Sequence, residues 1–296
     1  MSGLRVTVLG SGSNGNSMVV DNGQTAVLVD AGFGSRSLAR RLAVAGYEPE
    51  AISAIVVTHE HVDHAQGALP SARRWNWPVY ASAGTIGSLR RDDEERAASR
   101  CDDLGPELDT GTVPVDFRLI GNTSVSIDRL TFTGIGVSHD ATEPLGFIVD
   151  DARSGARIGI AVDLGHAPAA LVDAYAHLDM LVVESNHDVD MLRFGPYPSM
   201  LKRRIASRHG HLSNVAAGDF VAACAHRGLR QVVLAHLSET NNRPEHAVAA
   251  VRKALGRKGW KNCAVTATSQ QVVSSRIPVA PSNARALAAV QLQLMF

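Results

Sequence analysis

Thr58-His59-Glu60-His61-Val62-Asp63-His64 gathers three imidazoles and two carboxylates into seven residues, directly after the apolar run at 51–57. His59 and His61 are two apart, so in a still-extended chain both rings leave one side and can share an ion. Asp63 and His64 follow where the chain turns toward a helix, within reach of a second ion beside the first. Two divalent cations roughly 3.5–4 Å apart are a standard device for polarising a phosphoryl or carbonyl group and activating water. The bland alternative is a loop with surface histidines, and density and spacing argue against it.

The elements that must position these side chains are strands. Ile52, Ile55, Val56 and Val57 read as a buried strand of the parallel type, covered on both faces. The histidines begin where it ends, the usual place for ligand sites in open α/β folds. Further apolar runs end in the same way. The run from Leu130 ends in Ser138-His139-Asp140, and a hairpin pairing 147–149 with 158–162 ends in Asp163. The run from Met180 ends in Glu184-Ser185-Asn186-His187, and the run from Gln231 ends in His236. Taken singly, each is as readily a strand cap or a satisfied core residue. Together, their polar ends can converge on one edge of a layered sheet.

Other strands read at 4–9, 19–20, 26–29, 79–80, 117–120 and 125–127. Ser35 is expected to cap a helix carrying Leu38, Leu42 and Val44. Between the first two strands, Gly10-Ser11-Gly12-Ser13-Asn14-Gly15-Asn16-Ser17 offers amides and hydroxyls with little bulk, suited to phosphate oxygens. It is equally an ordinary turn. Residues 84–116 read as solvated charged surface and loop, with no chemistry assigned.

Composition narrows the classes. Lys+Arg and Asp+Glu balance at 29 each, so a polyanion would need a local basic patch. Lys202, Arg203, Arg204 and Arg208 supply such a strip, although a basic helix face is ordinarily just solvated. Three separated cysteines, Cys101, Cys224 and Cys263, argue against a disulfide framework and fit a reducing compartment. No signal segment or apolar window of membrane-spanning length is evident, so no membrane partner is expected and cytoplasmic is the default location. One domain over 1–278 is expected, with 279–296 a tail that could form a terminal helix.

His-x-His-x-Asp-His after a buried strand resembles the signature of metallo-β-lactamase-fold hydrolases. The stretches 11–17, 137–147 and 184–188, with 210–214 and 234–242, are similar to the YycJ/WalJ-type subfamily, regarded as 5′→3′ exonucleases on DNA. The resemblance covers about residues 5–275. It implies an αββα four-layer sandwich of two mixed β-sheets flanked by helices, holding two divalent ions. His59, His61 and His139 would ligate one ion, Asp63, His64 and His236 the other, with Asp163 between them. Zinc and manganese both suit these donors. Asp63, Glu184 and His211 would serve catalysis, with His211 donating a proton to the leaving oxygen. Ser11, Ser13, Asn14, Asn16, Asn186, His187, Lys202 and Arg203 would contact the substrate. Nucleic acid is the implied partner, DNA ahead of RNA. A tRNase Z-type RNA-processing role and thioester or lactam hydrolysis stay open as alternatives, as does the oligomeric state, a homodimer included. His166 departs from the pattern, standing where the subfamily usually has an aromatic residue.

Overall fold

Alternation along the strands decides the layering. Side chains on a strand point to opposite faces at a period of two. Val6 and Val8 therefore enter one apolar cluster and Leu9 another; Val27 and Val29 part from Leu28 in the same way. Ile158, Ile160, Met180 and Val182 join Val6 and Val27, whereas Ala161, Leu181 and Val183 turn to a third cluster. Two sheets thus face each other across a shared core, and each has a second apolar face to cover.

The structure, a computed structural model, describes residues 3–104 and 113–282. The first sheet runs β1 (Arg5–Gly10), β2 (Ser17–Asp21), β3 (Ala26–Val29), β4 (Ala54–Val56), β5 (Val79–Ala81) and β6 (Phe117–Leu119). The second runs β7 (Ser124–Ile127), β8 (Leu130–Gly136), β9 (Leu145–Asp151), β10 (Ala156–Ala161), β11 (Met180–Glu184), β12 (Gln231–Ala235) and β13 (Ala264–Ala267). A short β14 (Ile277–Pro278) pairs with β1 at the first sheet's edge. Each sheet is mixed. Strands β1–β3 are antiparallel and β3–β6 parallel; β7–β10 are antiparallel and β10–β13 parallel.

Helices cover the outer faces. Leu38 and Leu42 of α1 (Ser35–Val44) join the first sheet's outer cluster, as do Leu69 of α3 (Ala68–Trp75) and Ile86 and Leu89 of α4 (Ala83–Leu104). Leu171 of α5 (Ala169–Ala174), Phe220 of α8 (Asn214–Cys224) and Val251 of α9 (Pro244–Arg257) do the same for the second. Three short helices, α2 (Val62–Ala65), α6 (Val189–Phe194) and α7 (Ser199–Ile205), lie on the connections. This is the four-layer αββα order.

Three local expectations change. Residues 83–104 form a helix, and Arg90–Arg96 is its solvent face, because Ile86 and Leu89 give it an inward stripe. The cap of α1 is Gly34, with no side-chain bond; Ser35 lies inside the helix and accepts a hydrogen bond from Ser71 at 3.2 Å. Val44 is 70% exposed. The start of the tail, Val279, is buried, and its N–H donates to the Leu4 carbonyl; a helix over the rest of the tail lies outside the described residues. No helix among the described residues is long and apolar enough to cross a membrane.

Phe132 and Phe147 are fully buried between the sheets, ring centroids 6.4 Å apart and edge to face. Phe147→Ala is expected to cost about 3–5 kcal/mol in chemical denaturation. Val44→Ala should stay within about 0.5 kcal/mol, and equal losses in the two variants would contradict this layering.

Candidate metal centre

Every candidate ligand leaves the C-terminal end of a strand or the turn just beyond it. His59 and His61 follow β4, Asp63 and His64 sit on α2, and His139 follows β8. Asp163 follows β10, Glu184 closes β11, and His236 follows β12. Three of the turns share one backbone device. Asp30 after β3, Asp163 and His236 have φ of 59°, 55° and 52°, the left-handed region that residues with a Cβ rarely enter. The reversal swings each side chain back over the sheet end. Such a conformation costs on the order of 1–3 kcal/mol and persists only where its surroundings fix it. Here the Asp30 N–H donates to the Val56 carbonyl at 2.9 Å, and the His236 N–H donates to Ser11 Oγ at 2.8 Å.

The side chains close into neighbouring sets. Donor atoms of His59, His61 and His139 lie within 4.8 Å of one another, and so do those of Asp63, His64 and His236. A third set, His59, His64 and Asp163, links the two. Asp163 Oδ2 stands 2.7 Å from His64 Nε2 and 3.2 Å from His59 Nε2, and its Oδ1 is 2.5 Å from His236 Nδ1. Yet His59 Nε2 and Asp163 Oδ1 are buried and make no hydrogen bond. Buried polar atoms are rarely left unpaired, and two that converge with imidazoles and carboxylates fit a cation.

The opposite nitrogen of most rings is already committed. Asp30 Oδ2 is 2.7 Å from His64 Nδ1, and Thr58 Oγ1 is 3.0 Å from His59 Nδ1. The Gly210 carbonyl accepts from His139 Nδ1 at 3.0 Å, and Glu184 Oε1 lies 3.1 Å from His236 Nδ1. Such partners fix ring orientation and tautomer and strengthen the ligand. Gly32 packs beneath α2 so closely that a Cβ there would stand 1.8 Å from the Asp63 carbonyl oxygen.

Electrostatics divide the rings. Burial, reinforced by His64, pushes His59 down to about 4, so it is a neutral imidazole with a free lone pair. Burial also lowers His139. It opposes charge on His64 and His236 as well, but Asp163 and the other nearby carboxylates outweigh it and raise both well above the ordinary value. Burial would raise Asp163 and Glu184. The imidazoles prevail, holding Asp163 well below the carboxylate range and Glu184 down to about 2. The potential that draws protons onto these rings would equally draw a cation, which must displace those protons to bind.

Comparison with known proteins places the chain in a family. Residues 25–237 match the family model of the beta-lactamase superfamily domain. The chain belongs to the beta-lactamase superfamily. It is 34% identical over 263 residues to the exodeoxyribonuclease YycJ of Bacillus anthracis, covering 87% of this chain and 91% of that protein. Identity with the exodeoxyribonuclease WalJ of Streptococcus pneumoniae (strain D39) is 31% over 247 residues, covering 83% and 86%. The crystal structure of the metallo-beta-lactamase fold protein YhfI from Bacillus subtilis superposes with a TM-score of 0.62 over 92% of this chain and 98% of that one. At 15% identity, it speaks to the fold alone. Superfamily membership with a YycJ/WalJ-like sequence and converging His/Asp clusters makes this chain a metal-dependent hydrolase.

In this superfamily member, the residues read as substrate contacts divide. Ser13 and Asn186 line a cavity of about 220 Å³ above the cluster, with Asp63, His211 and His236 in its floor and walls. Asn186 is nonetheless buried, its amide donating to the His236 carbonyl at 3.1 Å. Ser11 and Asn16 face inward. Ser11 Oγ donates to Asn16 Oδ1 at 2.8 Å, and the Asn16 N–H donates to the Asp63 carbonyl at 2.7 Å, which braces the first loop against α2; Asn16 Nδ2 also lies 3.0 Å from His64 Nε2, the nitrogen facing Asp163. Asn14 is exposed and donates to Glu239 at 3.0 Å. His187 is buried in an isolated bridge to Ser213 and does not line the cavity. The Lys202 ammonium is occupied, donating to the carbonyls of Arg193 (2.9 Å) and Gly195 (2.7 Å) at the end of α6. Arg203 is exposed on the last turn of α7. His166 and Arg208 hold each other, with His166 Nε2 3.0 Å from the Arg208 guanidinium.

Sequence reasoning passed over Asp30, Thr58 and Asp140. A strand ending in Asp30 was the available signal, but nothing local ties it to His64. Asp30→Asn keeps the shape and suits φ of 59°, while removing the charge that fixes His64. Metal affinity measured by chelator competition is expected to fall roughly 10–100-fold with the fold retained; undiminished affinity would remove the bracing role.

Proposed function

We propose that this hydrolase is a 5′→3′ exonuclease on DNA working with two divalent ions, zinc or manganese. His59, His61 and His139 would hold one ion and Asp63, His64 and His236 the other, with Asp163 between them. The observation that carries the reading is the Glu184–His211 pair, set against the shared Asp163 and opening onto the cavity. His211 Nδ1 lies 2.6 Å from Glu184 Oε1 and 3.3 Å from Asp163 Oδ1. Support for nucleic acid comes from the relatives, both named exodeoxyribonucleases.

When bound, the ions would polarise the phosphoryl group and lower the pKa of water. The chain's own residues handle the leaving group. Burial opposes a proton on His211, but Glu184 and Asp163 outweigh it and raise the ring to about 9. Its Nδ1 is taken by Glu184, so a proton at Nε2 is available to the departing oxygen. Glu184 is fully buried, and its Oε2 accepts from the N–H groups of Leu164 (2.8 Å) and Leu212 (3.2 Å). It cannot touch substrate and acts by orienting His211 and His236, a narrower role than direct catalysis. Asp63, with 27% of its side chain exposed, faces the cavity as a ligand.

His211→Ala is expected to retain its metal by elemental analysis and to lose roughly 10²–10⁴-fold in kcat on 5′-phosphorylated DNA. Undiminished kcat would remove the proton-donor role. Digests of 5′- and 3′-end-labelled DNA and RNA, run beside an acyl thioester and a lactam, test the substrate class. Stepwise release from the 5′ end of DNA is expected, and turnover of the carboxyl compounds alone would overturn the reading.

A further inference from the structure

Above the cluster, one wall of the cavity is unlike the rest. Tyr197, Leu201, Arg204 and Ile205 form it, all from the α6–α7 connection and α7. The other lining is polar: histidines, carboxylates, Ser13, Asn186 and Ser238. Tyr197 is the one phenolic or phenyl ring on the cavity surface among the described residues, and it is half-buried. A hydrolase that needs only to hold a phosphate has no use for an aromatic face there.

The ring is also held in place. Pro196 and Pro198 flank it, fixing their own φ and restricting the residues before them. The Lys202 bonds to the Arg193 and Gly195 carbonyls tie the first turn of α7 back to the end of α6, closing the loop at its base. Gly195 fits there because a Cβ would stand 2.5 Å from the Met191 carbonyl and 2.6 Å from Asn241 Oδ1. A short, clamped loop presenting one aromatic ring loses little entropy when a flat ligand packs on it.

We infer that Tyr197 is a stacking platform for the terminal base of the nucleic-acid substrate, and so selects an end that carries a base. The inference rests on the nuclease reading above and specifies how its substrate is seated. Stacking needs a free π-face, which a terminal base offers on its outer side. Every base has such a face, so the site is indifferent to sequence but not to the presence of a base. Arg204, on the same wall, adds positive charge. Its Nε donates to Asp140 Oδ2 at 2.6 Å, and most of its side chain faces solvent. At about 220 Å³, the cavity is smaller than the roughly 300–1,000 Å³ of most drug-sized ligand pockets, which suits a chain end.

The test uses a 5′-phosphorylated single strand with phosphorothioate linkages to slow cleavage, carrying 2-aminopurine as its first or its fourth base. Metal-loaded wild-type protein should quench the first position and spare the fourth. Tyr197→Ala should lose that quenching and bind roughly 5- to 100-fold more weakly, and Tyr197→Phe should keep both. An abasic first nucleotide should reduce wild-type binding to the Tyr197→Ala level, a comparison that does not depend on how the variant folds. On cleavable DNA the loss should fall on KM more than on kcat. Wild-type cleavage with no quenching at the first base, or with equal affinity for the abasic end, would overturn the platform and leave the nuclease reading standing. Absence of both DNA binding and DNA cleavage in the wild type would overturn the two together.

Discussion

A buried carboxylate beneath the cavity sets the terms for everything around it. Asp163 is 2% exposed, and imidazoles of His59, His64, His211 and His236 crowd its two oxygens. An unpaired buried charge of this kind is costly, so the rings are not optional neighbours. The rings of His59 and His64, in turn, need partners on their other nitrogens, which brings in Thr58 and Asp30, while Glu184 shares the Nδ1 atoms of His211 and His236 with Asp163. Charge compensation therefore spreads outward from one residue until it reaches backbone amides. A cation is the natural completion of that arrangement, since it relieves carboxylate crowding while using lone pairs that the protein itself leaves idle.

The strands make this arrangement possible by ending together. Parallel segments β3–β5 and β10–β12 bring their C-terminal ends to one rim, and the left-handed turns at Asp30, Asp163 and His236 bend side chains over it. The same period of two that fills the core between the sheets leaves no freedom to shift register, because a one-residue slip would bury the wrong face of each strand. Ligand placement is thus inherited from hydrophobic packing far below the site.

Much of this was legible from sequence where the signal was local. The run 59–64 announces a metal site by spacing alone, and the alternating apolar runs mark most of the strands. What escaped was carried by contacts across sequence distance. Asp30 and His64 are neighbours only after β3 and β4 pair, and Asn16 reaches Asp63 and His64 only because the first loop folds beneath α2. Lys202 was read from its charge as a substrate contact, and its ammonium donates to two carbonyls at the end of α6. Charge says what a side chain can bind, and not which nearby carbonyl reaches it first. The edge strands β13 and β14 were missed because a strand with one neighbour and few buried positions carries little alternation. The helix over 83–104 was obscured by its wide charged face.

The division of the candidate ligands between the sheets has a thermodynamic meaning. His59, His61, Asp63 and His64 belong to the first sheet and its connections, whereas His139, Asp163 and His236 belong to the second. The sets of His59, His61 and His139, of His59, His64 and Asp163, and of Asp63, His64 and His236 each span the boundary, so the full arrangement exists only while the two halves are pressed together. By mutual linkage, any ion that prefers the complete set acts as a rivet between the sheets, and its affinity becomes a gauge of how firmly they are joined.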